Sequence, residues 1–112
     1  MEFSNVSCDL EFIDPYNESQ LGVKNITWID ETTVNIRAYI SLNCAYWIEG
    51  AGFHIHNSTI SLSYFVGRQK HGTGILMANC ICAASLNFTL SNLEPGEYNF
   101  ELEPLFNDHP EE

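Results

Sequence analysis

The sequence predicts an all-β domain, a two-sheet antiparallel sandwich of about seven strands. Apolar and polar residues alternate along most of the chain, and no apolar stripe has the period of an α-helix. Residues that favour turns, chiefly Gly, Pro, Asn and Asp, separate the alternating segments at nearly regular intervals. Each sheet of a sandwich buries one face against the other, and short alternating strands meet that requirement.

Seven segments are predicted strands, and each ends where the alternation breaks. In chain order they are residues 6–12, 26–28, 34–44, 53–55, 60–66, 86–90 and 98–102. Asp14-Pro15 ends the first segment, because proline has no amide proton to give to a strand ladder. Gly50-Ala51-Gly52 is a predicted turn or bulge, and Asn57-Ser58 is a predicted tight turn. The glycine-rich stretch 67–74 is predicted to be a mobile loop.

The length of 112 residues suits one domain, and we assign residues 1–106 to it and 107–112 to a flexible acidic tail. The net charge of −11 repels phosphates and anionic lipids, so nucleic-acid binding is not expected. No apolar run approaches the roughly 20 residues of a membrane-spanning helix, so membrane insertion is not expected either. Residues 1–4 do not resemble a signal peptide. If the protein is secreted, we therefore expect this chain to be a mature or excised domain. Any membrane tether is expected to lie in a segment outside the chain.

Five sites fit the N-x-[ST] glycosylation motif, where roughly one or two are expected by chance. Their asparagines are Asn5, Asn17, Asn25, Asn57 and Asn87. Asn25 and Asn87 alternate with the apolar residues of their predicted strands, so both should point to solvent, where a glycan fits. The excess of motifs predicts an extracellular or cell-surface glycoprotein.

The segment Leu93-Glu94-Pro95-Gly96-Glu97-Tyr98 resembles the E–F corner of fibronectin type III and related immunoglobulin-like modules. Those modules carry a leucine, a Pro-Gly turn and a tyrosine whose hydroxyl bonds back to the backbone, usually with one more residue before the tyrosine. The resemblance covers residues 86–106. It implies an immunoglobulin-like sandwich that serves as a binding or spacer module, and it assigns no functional residues.

Four cysteines, Cys8, Cys44, Cys80 and Cys82, are predicted to form two disulfides, and their parity predicts that all four face the core. Cys80 and Cys82 lie about 6.6 Å apart along a strand, farther than the Cβ separation of a disulfide. Each should therefore pair with Cys8 or Cys44. The strand order of the immunoglobulin-like modules brings all four to one end of the sandwich. Two pairings remain open, and we favour Cys44–Cys80 with Cys8–Cys82.

The patterns His54-x-His56 and Cys80-x-Cys82 suggest an alternative, a small metal-binding protein. The two histidines should face solvent while the cysteines face the core, because Phe53 and Ile55 take the inner positions of that strand. What remains is a surface site for Cu²⁺ or Zn²⁺ at His54, His56 and a nearby carboxylate. No G-x-S-x-G, H-E-x-x-H or P-loop motif is present, so neither an enzyme nor a cofactor is expected.

Two sets of residues are candidates for contact with a protein partner. Tyr46 and Trp47 lie in an aromatic segment, where Trp47 either anchors an interface or fills the core. Arg68 and Lys70 form the one locally basic patch, which suits an acidic partner or simply solvent. The sequence therefore predicts a non-catalytic binding or adhesion module at the cell surface or outside the cell, and it leaves the partner unidentified.

Overall fold

The computed structural model describes residues 1–110 and confirms the all-β fold class. Eight strands follow one another along the chain. They are β1 (Glu2–Ser7), β2 (Gly22–Asp30), β3 (Thr33–Asn43), β4 (Trp47–His56), β5 (Thr59–His71), β6 (Gly74–Ile75), β7 (Ile81–Leu90) and β8 (Asn99–His109). The only helix among the described residues is one 3-10 turn, Glu18–Gln20. Strand ladders and the turns between them therefore make up almost the whole fold.

The strands form two sheets. The first has the order β1-β7-β3-β2, and every pair in it is antiparallel. In the second, β5 is central between an antiparallel β4 and a parallel β8, and β6 forms a short hairpin with its end. The predicted antiparallel pairing is therefore wrong for β5 and β8. Residues 91–98 connect the two sheets and start β8 beside Thr59, where β5 also starts, so the two strands run the same way.

The core lies between the central strands of the two sheets. Its buried residues are alternate positions of three strands together with one residue of the connection to β8. They are Val34, Ile36, Ala38, Ile40, Leu42, Ile60, Leu62, Tyr64, Val66, Ala84, Leu86, Phe88, Leu90 and Leu93. The predicted inner faces of residues 34–42, 60–66 and 86–90 are confirmed. These strands have neighbours on both sides and a sheet above, so each large apolar side chain contributes about 1.5–3 kcal/mol by burial.

The outer strands are covered less well than their alternation predicts. Trp28 on β2 and Phe53 on β4 lie on the inner faces of their sheets, yet they remain 38% and 39% exposed. The predicted inner face of the first strand is wrong. Phe3, rather than Val6, packs on the core, with its ring 5.1 Å from that of Phe88. The cause is the register of β1, which sets Val6 opposite Ser85 on the outer face.

Turns are predicted better at one hairpin than at the other. The tight turn at Asn57-Ser58 is confirmed, and Asn57 takes the left-handed φ of 56° that favours asparagine there. The predicted loop at 67–74 is wrong, because β5 continues through His71 before it turns. Gly72, with φ 60°, permits this reversal.

The last strand is longer than the sequence indicates. Residues 107–109, assigned above to a flexible tail, form the end of β8 and pair with residues 67–69 of β5. The domain therefore extends at least to His109. Glu111 and Glu112, the rest of the proposed acidic tail apart from Pro110, lie outside the described residues.

Candidate partner-binding corner

Two disulfides join the strands of the first sheet at one end of the molecule. They are Cys8–Cys82 and Cys44–Cys80, the favoured pairing of the sequence. The expectation that all four cysteines face the core is wrong for Cys8 and Cys80, which are exposed. Cys8 follows β1 with a left-handed φ of 66°, and Cys80 precedes β7, so neither obeys the parity of a strand.

The turn between β3 and β4 is anchored at this end. Asn43 accepts hydrogen bonds on Oδ1 from the amides of Ala45 (2.9 Å) and Ala78 (3.0 Å). Its Nδ2 donates to the carbonyl oxygen of Ala78 at 2.9 Å. Together with the Cys44–Cys80 bond next to it, Asn43 fixes the backbone from which Tyr46 and Trp47 project. The two aromatic residues therefore project from a turn that is cross-linked on one side and hydrogen-bonded on the other.

Trp47 lies on the outer face of the second sheet, directly over Gly67. A Cβ atom at Gly67 would come within 2.3 Å of the indole, so the ring rests on bare backbone. The indole Nε1 donates to Glu49 Oε1 at 3.0 Å, and the ring centroid is 5.5 Å from that of His109. Trp47 thus does not fill the core, and 38% of its surface stays open to solvent.

Glu49 is the polar centre of this outer face. Besides the indole, its carboxylate accepts a hydrogen bond from Asn107 Nδ2 at 2.7 Å and contacts Nε2 of His109. These hydrogen bonds hold the pKa of Glu49 below its usual value, and the bond from Asn107 has the largest effect. Glu49 therefore stays ionised at neutral pH and joins β4 to the end of β8.

Arg68 lies at the same end of the second sheet as Trp47, but on the inner face. Its guanidinium makes two hydrogen bonds to the carboxylate of Asp108, at 2.6 and 2.9 Å. The same group lies over the rings of Phe106 (4.3 Å) and Tyr46 (5.8 Å), within the range of cation–π attraction. The ion pair lowers the pKa of Asp108 and raises that of Arg68. Lys70, the fourth predicted partner-binding residue, is exposed two residues further along β5.

A cleft of about 230 Å³ opens between the sheets beside this ion pair. Tyr46, Tyr64 and Val66 line it with Pro104 and Phe106 of β8. Phe106 is 54% exposed although it continues the inner face of its strand. We call the set Tyr46, Trp47, Glu49, Arg68, Phe106 and Asp108 the Trp47 corner.

Sequence reasoning found half of the Trp47 corner and missed the rest. Tyr46, Trp47 and Arg68 were predicted, whereas Glu49, Phe106 and Asp108 were not. One signal was present for Phe106, which continues the parity of Tyr98, Phe100 and Leu102. Nothing local marked Asp108, whose partner Arg68 lies 40 residues earlier in the chain.

The glycosylation motifs are spread over the surface. Asn25 and Asn87 lie on the outer face of the first sheet, on either side of Arg37 in β3. Asn87 is half-buried and accepts a hydrogen bond on Oδ1 from Asn35 at 3.2 Å. The other three are exposed: Asn5 on β1, Asn17 at the start of the 3-10 turn, and Asn57 in the β4–β5 turn.

The histidines of the metal-binding alternative are exposed on the outer face of β4, as their register with Ser61 and Thr59 requires. Within residues 1–110, only the sulfur atoms of Cys8, Cys44 and Cys82 form a group of three potential ligands within 4.8 Å of one another. All three belong to disulfides. His54 and His56 therefore have no third ligating side chain that close in the described part of the chain.

No family model matches this sequence, and no curated protein or solved structure is significantly similar to it. Residues 1–110 contain no helix with the length and apolar character needed to cross a bilayer. What can be inferred about function therefore depends on the chemistry of the surface.

Proposed function

We propose that this protein is a non-catalytic extracellular or cell-surface module that binds a protein partner through the Trp47 corner. One observation carries the proposal: at one end of the second sheet, whose β3–β4 turn is held by a disulfide, Trp47 is exposed on the outer face while Arg68 and the exposed ring of Phe106 lie on the inner face. Tryptophan, tyrosine and arginine are the residues that most often supply the binding energy of protein interfaces.

Preorganisation strengthens this interpretation. Trp47 is fixed by Gly67 below it and Glu49 beside it, and Arg68 is fixed by Asp108. Ordering a long side chain on binding costs about 0.5–1.5 kcal/mol, and a side chain that is already ordered avoids much of that cost. Phe106 and the neighbouring cleft offer an apolar surface that a partner side chain could fill.

The disulfides support an oxidising compartment, where secreted and surface proteins keep such bonds. Glycans at Asn25 and Asn87 would cover the outer face of the first sheet and leave the Trp47 corner, on the second sheet, accessible. We therefore assign the two faces different roles, a shielded face and a binding corner.

We further propose a relationship to immunoglobulin-like modules. The hydroxyl of Tyr98 donates to the carbonyl oxygen of Glu94 at 2.5 Å, the kind of bond that defines a tyrosine corner. Leu93 is buried at the same corner and donates its amide to Thr32 at 3.0 Å. The parallel pairing of β5 and β8 is a difference from the purely antiparallel sheets of the predicted sandwich.

The test uses the biotinylated protein, assembled as a streptavidin tetramer, against an array of secreted and cell-surface ectodomains. For any ectodomain bound, Trp47→Ala and Arg68→Gln should each weaken binding about thirtyfold, the loss typical of a central interface residue. Arg37→Gln removes the same charge from the outer face of the first sheet and should have little effect. Equal affinities for Arg68→Gln and Arg37→Gln, in variants with unchanged unfolding midpoints, would place the binding site elsewhere.

A further inference from the structure

A second exposed tryptophan marks the opposite end of the molecule. Trp28 lies on the inner face of β2, opposite Val34, yet 38% of its surface stays open to solvent. Its ring is stacked on that of Tyr98, with centroids 6.0 Å apart and an angle of 28°. This end is about 30 Å from the Trp47 corner, because Arg68 lies nine positions beyond Thr59 along β5 at about 3.3 Å per residue.

Two open cavities flank Trp28. One, of about 520 Å³, is bounded by Trp28, Tyr98, Ser58, Glu97 and Asn99. The other, of about 360 Å³, is bounded by Trp28, Asp30, Glu31 and the Pro95-Gly96 turn. Gly96 lines both cavities. A ligand segment could therefore contact Trp28 from either cavity.

The charge of these walls has one sign. Asp30, Glu31 and Glu97 contribute three carboxylates, and neither cavity is lined by lysine or arginine. The backbone amide and hydroxyl of Thr32 donate to Asp30 and lower its pKa, so that carboxylate stays ionised at neutral pH. The whole chain carries a net charge of −11, which adds to the attraction for a cation.

An aromatic face beside carboxylates is the chemistry that recognises a cationic side chain. The indole attracts a guanidinium or ammonium group through its quadrupole, more strongly than tyrosine or phenylalanine does. Carboxylates on either side accept the hydrogen bonds that such a group must make when it leaves water.

We propose that the Trp28 end binds a basic, arginine- or lysine-containing segment of a partner protein. One cationic side chain of the ligand lies against the indole of Trp28. The adjacent basic residues of the ligand enter the two cavities and pair with Glu31 and Glu97. This site is separate from the Trp47 corner, and the proposal does not depend on the function assigned to that corner. The charge complementarity favours a basic peptide over a neutral saccharide, the other ligand class that stacks on tryptophan.

The probe is an acetylated, amidated tetra-arginine peptide with a fluorescent label, titrated with the full chain at low salt and followed by anisotropy. Binding should weaken as salt is added, because the attraction is between charges. Trp28→Ala should weaken binding about tenfold, whereas Trp28→Phe, which keeps an aromatic ring, should lose less.

A pair of charge-matched variants separates a site from general attraction. Glu31→Gln/Glu97→Gln removes two carboxylates beside Trp28, and Glu11→Gln/Glu18→Gln removes two exposed ones near the other end of β2. We expect the first pair to weaken binding several times more than the second. Equal losses from the two pairs would reduce the effect to net charge and overturn the proposal. It is also overturned if the peptide does not bind, or if neutral oligosaccharides bind at Trp28 and the peptide does not.

Discussion

The two ends of the molecule each expose a tryptophan, and they differ in how that residue is held. At the Trp47 corner the indole is supported by Gly67, hydrogen-bonded to Glu49 and anchored through a disulfide-bonded turn. At the other end Trp28 has a ring stack with Tyr98 and lines two open cavities. The two proposed binding sites therefore lie on different surfaces, one fixed by hydrogen bonds and a disulfide and one that is open and acidic.

The charges differ in the same way. Arg68 and Asp108 neutralise each other within the Trp47 corner, so its cation is already paired. The carboxylates around Trp28 face no lysine or arginine among the residues that line the cavities. If both proposals hold, a partner at the first end gains mainly by apolar and aromatic contact, whereas a partner at the second end supplies the missing charge.

The largest expected effect is the loss of the disulfide beside the Trp47 corner. Cys44→Ala/Cys80→Ala opens a loop of 36 residues, and loop entropy predicts a loss of about 4 kcal/mol in the free energy of unfolding. Hydrogen exchange should speed up more at residues 43–47, next to the lost bond, than around Trp28. Urea denaturation and amide exchange measure the two effects, with Cys8→Ala/Cys82→Ala as the matched disulfide variant. Faster exchange at both ends alike would show that the corner is not held locally.

A smaller effect is expected at Gly67. Gly67→Ala places a Cβ where the indole of Trp47 rests, and displacing the ring should cost about 1–3 kcal/mol. Gly52→Ala is the control, since a Cβ there meets only Phe65, at 3.9 Å. Tryptophan fluorescence should shift for the first variant and not for the second. Equal stabilities for the two variants would contradict the close packing of Trp47.

Next comes the tyrosine beside Trp28. Tyr98→Phe removes the hydrogen bond to Glu94 and keeps the ring stack, so the free energy of unfolding should fall by about 1 kcal/mol. Tyr16→Phe, at an exposed loop position, should change it less. Chemical denaturation of both proteins decides this. Peptide binding at Trp28 should survive in Tyr98→Phe, because the ring is kept.

The smallest effect is the dependence of stability on pH. The pKa of Asp108 is lowered in the folded protein by hydrogen bonds from Arg68, so this pair stabilises the fold above the carboxyl's ordinary pKa of 3.8. The contribution is lost as the pH falls through the lower folded pKa. Unfolding midpoints measured from pH 7 to pH 2 should therefore fall less steeply below about pH 4 in Asp108→Asn than in the wild type. An identical profile would show that this half-buried pair adds nothing to stability.

Sequence reasoning succeeded where burial is complete and failed where it is partial. The inner faces of β3, β5 and β7 followed from alternation, because a strand covered on one whole face cannot shift by one residue without exposing that face. Val6 was placed on the wrong face and Phe3 was left outside the predicted strand, because this edge strand has only these two apolar residues, three positions apart, and gives no clear parity. For the cysteines, spacing along a strand excluded one pairing and left two, of which the favoured one is confirmed.

The sequence by itself determined the all-β class and the inner faces of the central strands, since these depend on a period of two. Distances along a strand excluded a bond between Cys80 and Cys82, and the structure chose between the two pairings that remained. Tertiary structure alone decided what the two tryptophans do. Trp47 is held at the corner by Glu49, and Glu49 is itself held because β8 runs parallel to β5 and brings Asn107 and His109 to its carboxylate. Trp28 stayed partly exposed, with its ring stacked on that of Tyr98 from the connection that precedes β8. Both outcomes depend on contacts between residues distant in the chain, which local patterns do not encode.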